Sequence, residues 1–221
     1  MIAHIFHMTE NSNSPMEIPP SFKLTIFSDY ICPWCYVGQG VVEKLKAEYQ
    51  IDLEWRPFYL YQDVPPEGMD IPDYIKQARA AGSEERLSQI ASSNGLPFVS
   101  TERIYNTRIA HEATEYAREH NRGNEFHSVV FRKVYAEGLD ISQWGILRDS
   151  ALEVGLNADE MQNEVESGKY TANVAEQVEQ AYAAGVTGVP TYVINNRYAI
   201  VGAQPYEAFK NALVRILETE A

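Results

Sequence analysis

Ser28-Asp29-Tyr30-Ile31-Cys32-Pro33-Trp34-Cys35-Tyr36-Val37-Gly38 is the stretch on which the reading of this chain turns. It follows an apolar run, Phe22-Lys23-Leu24-Thr25-Ile26-Phe27, and leads into a helical pattern starting near Tyr36. Its two cysteines are the only ones among 221 residues. On the first turn of a helix, residues three apart share one face, so Cys32 and Cys35 can close a strained disulfide or return to two thiols. The helix N-terminus carries partial positive charge and unpaired N–H groups, which favour a thiolate at the first sulfur. Pro33 suits a helix start, where its missing N–H costs nothing. The spacing therefore points to a redox couple. A structural disulfide would restrain little chain entropy across so short a loop. A structural zinc site needs about four ligands, two of them from scattered histidines, so no metal is expected. Two inert core thiols would leave the helix-start position unexplained.

Outward from the dithiol, Val37, Val41, Val42, Leu45 and Tyr49 recur at helical spacing. Ile51-Asp52-Leu53-Glu54-Trp55-Arg56 alternates as a strand with one wet face, Pro57 weakens its end, and Val64-Pro65-Pro66 closes the unit. Two strands joined by a crossover helix should pair in parallel. From Asp70 to about Gly168 no strand is expected. Helical patterns run over Pro72 to Ala81, Glu84 to Ser93, Arg108 to His120 and Glu125 to Glu137. Ser142 is expected to cap a helix through Val154, and Asn157 with Glu160 reads as a capping pair. Gly95, Gly123, Gly138, Gly155 and Gly168 punctuate these helices. After a helix over Ala172 to Ala184, Thr191-Tyr192-Val193-Ile194 and Tyr198-Ala199-Ile200-Val201 form a hairpin through Asn195-Asn196. Pro205 opens a closing helix with Phe209, Leu213, Ile216 and Leu217 inward. The expected organisation is a tail at 1–20, a discontinuous α/β unit at 21–66 and 169–221, and a helical insertion at 67–168.

The composition is that of a globular chain, 45% hydrophobic and 22% charged. With 18 basic against 31 acidic residues the net charge is −13, which argues against nucleic acid or an anionic membrane as partner. No apolar run approaches the roughly 20 residues that span a bilayer. The N-terminus lacks a basic region followed by a long apolar core, so no secretory signal is expected. The expected compartment is the cytoplasm, where a dithiol is more often catalytic than structural.

Strand, CxxC helix, strand, then helix, Val-Pro, hairpin and final helix resembles a thioredoxin-like domain. The helical insertion makes it similar to the DsbA family of thiol-disulfide oxidoreductases. Within that family it looks most like the cytoplasmic FrnE-like branch. The resemblance rests on residues 28–38, on Gly185-Val186-Thr187-Gly188-Val189-Pro190-Thr191, on Gly202-Ala203-Gln204-Pro205, and on Asn106-Thr107-Arg108 followed by Ala110-His111. It implies an α/β, thioredoxin-like fold: a central mixed sheet flanked by helices, with an inserted all-helical domain. It also implies that Cys32 is the exposed attacking cysteine and Cys35 the more buried resolving one. Pro190 would be a cis-proline facing the dithiol, turning the backbone of Val189 outward to pair with an extended substrate. Asn106 and His111 would line the cleft between insertion and α/β unit; on residue type alone, a histidine on a helix flank is more often a solvated or hydrogen-bonded bystander.

The chain also departs from the family pattern. Strongly oxidising relatives carry histidine where Trp34 stands, so a less oxidising couple is expected. The buried acid six residues before the first cysteine is replaced by Ile26. Asp29 is the nearest carboxylate; it either relays protons to Cys35 or caps the Cys32 helix. Trp34 and Tyr36 either form an apolar lip for substrate or pack against the insertion. Gln204 either caps the last helix or reaches a bound peptide or glutathione.

The expected function is thiol–disulfide exchange, reduction or isomerisation on protein or small-molecule disulfides. No cofactor is implied beyond the redox-active disulfide, with glutathione as the co-substrate that the family allows. Two other readings stand beside it. One is a glutathione-dependent isomerase or transferase of the chromene-carboxylate isomerase or kappa-class type, whose first cysteine position is typically serine. The other is a non-enzymatic, redox-linked client-binding protein. Monomer or dimer is left open by the sequence.

Overall fold

The computed structural model describes residues 21–220; the expected tail at 1–20 lies outside the described residues. The chain begins with β1 (Ser21–Ser28), α1 (Pro33–Lys46) and β2 (Gln50–Pro57). Next come β3 (Met69–Asp70), α2 (Asp73–Ala80), α3 (Ser83–Ser93) and β4 (Arg103–Ile104). Four helices follow: α4 (Arg108–Glu119), α5 (Gly123–Tyr135), α6 (Trp144–Glu153) and α7 (Ala158–Glu166). The chain closes with α8 (Thr171–Ala183), β5 (Thr191–Ile194), β6 (Tyr198–Val201) and α9 (Tyr206–Glu220).

β1 and β2 pair in parallel from Ser21 opposite Gln50 to Ser28 opposite Pro57, as the crossover helix requires. The other edge of β1 takes β5 antiparallel, and the mixed sheet runs β2-β1-β5-β6. Asn195 and Asn196, at φ 50° and 55°, make the tight hairpin turn that their composition predicts. Phe22, Leu24 and Ile26 of β1 face Val41, Val42 and Leu45 of α1 and Phe209 and Leu213 of α9, forming one core. Ile26 is wholly buried there. On the other face Phe27 meets Phe58, Ala181 and Val186.

A second core belongs to the helical block and includes the dithiol itself. Tyr30, Cys32, Cys35 and Tyr36 pack with apolar residues of α3 to α7, among them Leu87, Phe131 and Leu147. Each large side chain fully buried there contributes about 1.5–3 kcal/mol. The front of α1 is thus shared between sheet and insertion. Gly38 lets α1 approach that closely: a Cβ there would collide with the Tyr192 hydroxyl.

Two local expectations are corrected. A two-stranded ladder, β3 with β4, lies inside the stretch read as strand-free; Met69 pairs with Ile104 and Asp70 with Arg103. Gly68, at φ 75°, permits it, since a Cβ there would sit 2.7 Å from the Ile104 carbonyl oxygen. Ser142 does not cap α6: Gln143 holds the cap position, and the Ser142 amide and hydroxyl donate instead to Asp140 Oδ1 at 2.9 and 2.6 Å. Gly123 does stand between α4 and α5: it opens α5, while Asn121 at φ 58° makes the turn out of α4. Asn157 does cap α7, accepting from the Asp159 and Glu160 amides.

Candidate active site

Cys32 is the N-cap residue of α1, extended at φ −92° and ψ 107°; Pro33 is the first helical residue and Cys35 the third. No side chain caps this helix end. Asp29 is therefore not the cap. Its carboxylate is buried and turned toward other elements. Oδ2 accepts from the Leu60 amide at 2.8 Å, and Oδ1 accepts from the Thr107 hydroxyl at 3.0 Å. Oδ1 also lies 3.4 Å from both the Ile31 amide and His111 Nε2. His111 is buried at this junction, with its ring against Tyr30 and Tyr59.

Both cysteines are free thiols. The resemblance implies an exposed Cys32, but it is only 3% exposed, against 1% for Cys35. Two things cover it. Its Sγ–H donates to the Val189 carbonyl at 3.4 Å, so that carbonyl is engaged by the sulfur in this state. The Val189–Pro190 peptide is cis, and the Pro190 carbonyl is held by the Gly202 amide at 2.8 Å. On the other side α2 and α3 roof a mostly apolar cavity of about 310 Å³, with Cys32, Trp34, Ala78, Leu87, Phe98 and Tyr135 in its wall.

Burial pushes the Cys35 thiol well up, and the neighbouring Cys32 sulfur pushes it the same way. The Asp29 amide and the Ser28 hydroxyl oppose them. The Ser28 oxygen is buried and has no other hydrogen-bond partner among the described residues. The thiolate is the nucleophile, so a Cys35 held protonated in this way does not attack unaided.

The other candidate residues divide. Trp34 is half-buried in the cavity wall, with the Arg86 guanidinium 6.0 Å from its ring. Tyr36 is no lip: it is buried, donates to the Pro97 carbonyl at 2.7 Å and stacks on Tyr135 at 5.3 Å. Asn106 does not line the Cys32 cavity. It donates to the Val64 carbonyl at 2.6 Å, accepts from the Arg108 amide at 3.0 Å, and borders a separate pocket with Tyr59 and Tyr61. Exposed Gln204 spends its amide on the Val201 carbonyl at 3.0 Å. Tyr135, Thr107 and Ser28 join the site without having been singled out for it. Thr107 lay inside a quoted motif; Tyr135 reads in sequence as one more core aromatic.

The uncharacterized protein YwbO of Bacillus subtilis is 29% identical over 192 residues, covering 86% of this chain and 94% of its own. The 2-hydroxychromene-2-carboxylate isomerase of Sphingobium xenophagum is 21% identical over 178 residues, 79% and 89% of the two chains. The crystal structure of a probable DsbA oxidoreductase from Streptomyces coelicolor superposes with a TM-score of 0.80 at 27% identity, covering 88% of this chain and 89% of that one. The family model described as a DSBA-like thioredoxin domain matches residues 23–214. With its dithiol at the head of α1 facing the Val189–Pro190 loop, the chain belongs to the DSBA-like thioredoxin domain family.

Proposed function

We propose that the protein is a thiol–disulfide oxidoreductase of the cytoplasmic, FrnE-like kind, acting on low-molecular-weight disulfides. The observation that carries this reading is the burial of Cys32 beside a roofed cavity of about 310 Å³. A folded protein disulfide has no comparable path to a sulfur that is 3% exposed.

The chemistry balances without a further cofactor. The Cys32 thiolate attacks one sulfur of a disulfide RSSR, forming a Cys32–SR mixed disulfide and releasing RS⁻. Cys35 sulfur then attacks Cys32, the Cys32–SR bond breaks, and a second RS⁻ leaves. The two thiol protons end on the two RS⁻ groups. The substrate gains two electrons and the enzyme becomes the Cys32–Cys35 disulfide; the reverse sequence oxidises two thiols. Which direction dominates is set by the couple against its compartment, where about 30 mV is worth about 1.4 kcal/mol.

The test compares turnover of hydroxyethyl disulfide with reduction of insulin. Cys32→Ser is expected to abolish the first, and Cys35→Ser to accumulate a covalent adduct on Cys32 visible by mass. Turnover retained by Cys32→Ser removes the mechanism, and insulin reduced faster than the small disulfide removes the substrate class.

The similarity to the chromene-carboxylate isomerase favours one second reading, a glutathione-dependent isomerase. The intact dithiol speaks against it. Isomerase activity with added glutathione that survives Cys35→Ala would establish it.

A further inference from the structure

Tyr135, the last residue of α5, is 1% exposed and stands in the wall of the cavity that holds Cys32. Its ring is fixed on two sides, stacked on Tyr36 at 5.3 Å and parallel to Phe98 at 6.1 Å. Its backbone carbonyl is fixed as well, accepting from the Val99 amide at 2.7 Å. Its hydroxyl nevertheless has no hydrogen-bond partner among the described residues. A buried donor left in that condition is costly, and one fixed in the wall of the same cavity as a reactive sulfur is most simply explained by a partner that appears during the reaction.

We propose that Tyr135 is a catalytic residue whose hydroxyl donates a hydrogen bond to the Cys32 sulfur once that sulfur is a thiolate. The inference rests on the dithiol reading above and adds to it the group that stabilises the nucleophile. In the thiol state Cys32 is itself a donor, to the Val189 carbonyl at 3.4 Å, and offers Tyr135 little. Loss of the Cys32 proton to water turns the sulfur into an acceptor, and the idle phenol then has a charged partner. Burial, and after it the two cysteine sulfurs, push the Tyr135 hydroxyl well up, so it stays protonated and able to donate. Trp34 itself brings no charge to this end of the helix; Arg79 and Glu84 also stand in the cavity wall, and Tyr135 adds to them a neutral donor from the insertion. It is supplied by α5, about a hundred residues from the dithiol along the chain.

The test is Tyr135→Phe, which keeps the ring and its stacking. The reaction of Cys32 with iodoacetamide is followed by peptide-resolved mass spectrometry across pH. A hydrogen bond to a charged group is worth about tenfold or more. The expected result is alkylation slowed by about that factor near neutral pH, with the pH–rate profile moved to the alkaline side. The melting temperature should be unchanged or slightly raised, because the hydroxyl removed was unpaired in the resting state. An unchanged rate, a slowing equal at every pH, or a slowing matched by lost stability overturns the proposal. Alkylation reads Cys32 whether or not any disulfide is turned over, so this result stands apart from the turnover test.

Discussion

Thr107 donates its hydroxyl proton to Asp29 Oδ1 at 3.0 Å, a buried bond between residues 78 positions apart in the chain. It ties the residue before α4 to the turn that enters the dithiol helix. The same carboxylate holds the Leu60 amide at 2.8 Å, so one side chain joins α4, the segment after β2 and the approach to Cys32. Asp29→Ala leaves the buried Thr107 hydroxyl and the part-buried Leu60 amide without this acceptor, at about 1–3 kcal/mol for the buried donor and less for the other. The expected loss in a urea titration is about 2 kcal/mol. A loss below about 1 kcal/mol would mean that water or another group replaces the carboxylate at little cost.

His127 predicts a pH dependence. Its ring is 3% exposed and stacks on Trp55 at 3.9 Å, with Tyr30 and Phe131 on other sides. Burial, reinforced by His111 and then by Arg118 and Lys46, pulls it well below its ordinary value of 6.5. Below that pH the unfolded chain binds a proton that the folded chain refuses. Its contribution is therefore flat above pH 6.5, and stability falls as the pH drops below it. The slope is about 1.4 kcal/mol per pH unit at most. Denaturation midpoints for the wild type and His127→Phe should diverge below that pH in this sense. Parallel curves would place the ring in contact with solvent.

Gly38 and Tyr192 form a second testable pair. The missing Cβ of Gly38 is the space that the Tyr192 hydroxyl fills. Gly38→Ala overpacks this contact and should cost about 1–3 kcal/mol. Tyr192→Phe removes the colliding oxygen, so the double variant should lose clearly less than the sum of the two single losses. The double-mutant cycle measures this directly. Additive losses would show that α1 shifts to accommodate the methyl group.

Ala78 tests access. It lies on α2 in the cavity wall, and Ala78→Trp places a bulky ring in that space. The value of kcat/KM for hydroxyethyl disulfide should fall by about tenfold or more. Unchanged turnover would mean that substrate reaches Cys32 by the Val189 side.

The chemistry of this chain was written locally, and so it was legible. Cys32 and Cys35, the strand before them, the parallel crossover and the Asn195-Asn196 turn all declare themselves within a few residues. What escaped depends on distance. The reading of Asp29 as a cap weighed only its neighbours, whereas its acceptors serve Leu60, Thr107 and His111, 31 to 82 residues away. α4 looked like a helix with one apolar stripe, yet it is buried from Ala110 to Ala117, polar positions included. Met69-Asp70 and Arg103-Ile104 are each too short to show a period of two. Tyr135 has the spacing of a core residue and packs as one; only its unpaired oxygen marks it out.

The order β2-β1-β5-β6 has a consequence for synthesis. A ribosome releases β1, α1 and β2 early, but β5 and Val189 emerge only after the whole helical block. Until then β1 carries an open edge and the Cys32 sulfur lacks its carbonyl cover. Closing so large a loop carries an entropic cost that grows slowly with length, but it comes late. The nascent chain thus carries its most reactive atoms without their final cover for most of its own translation, until the last strands arrive.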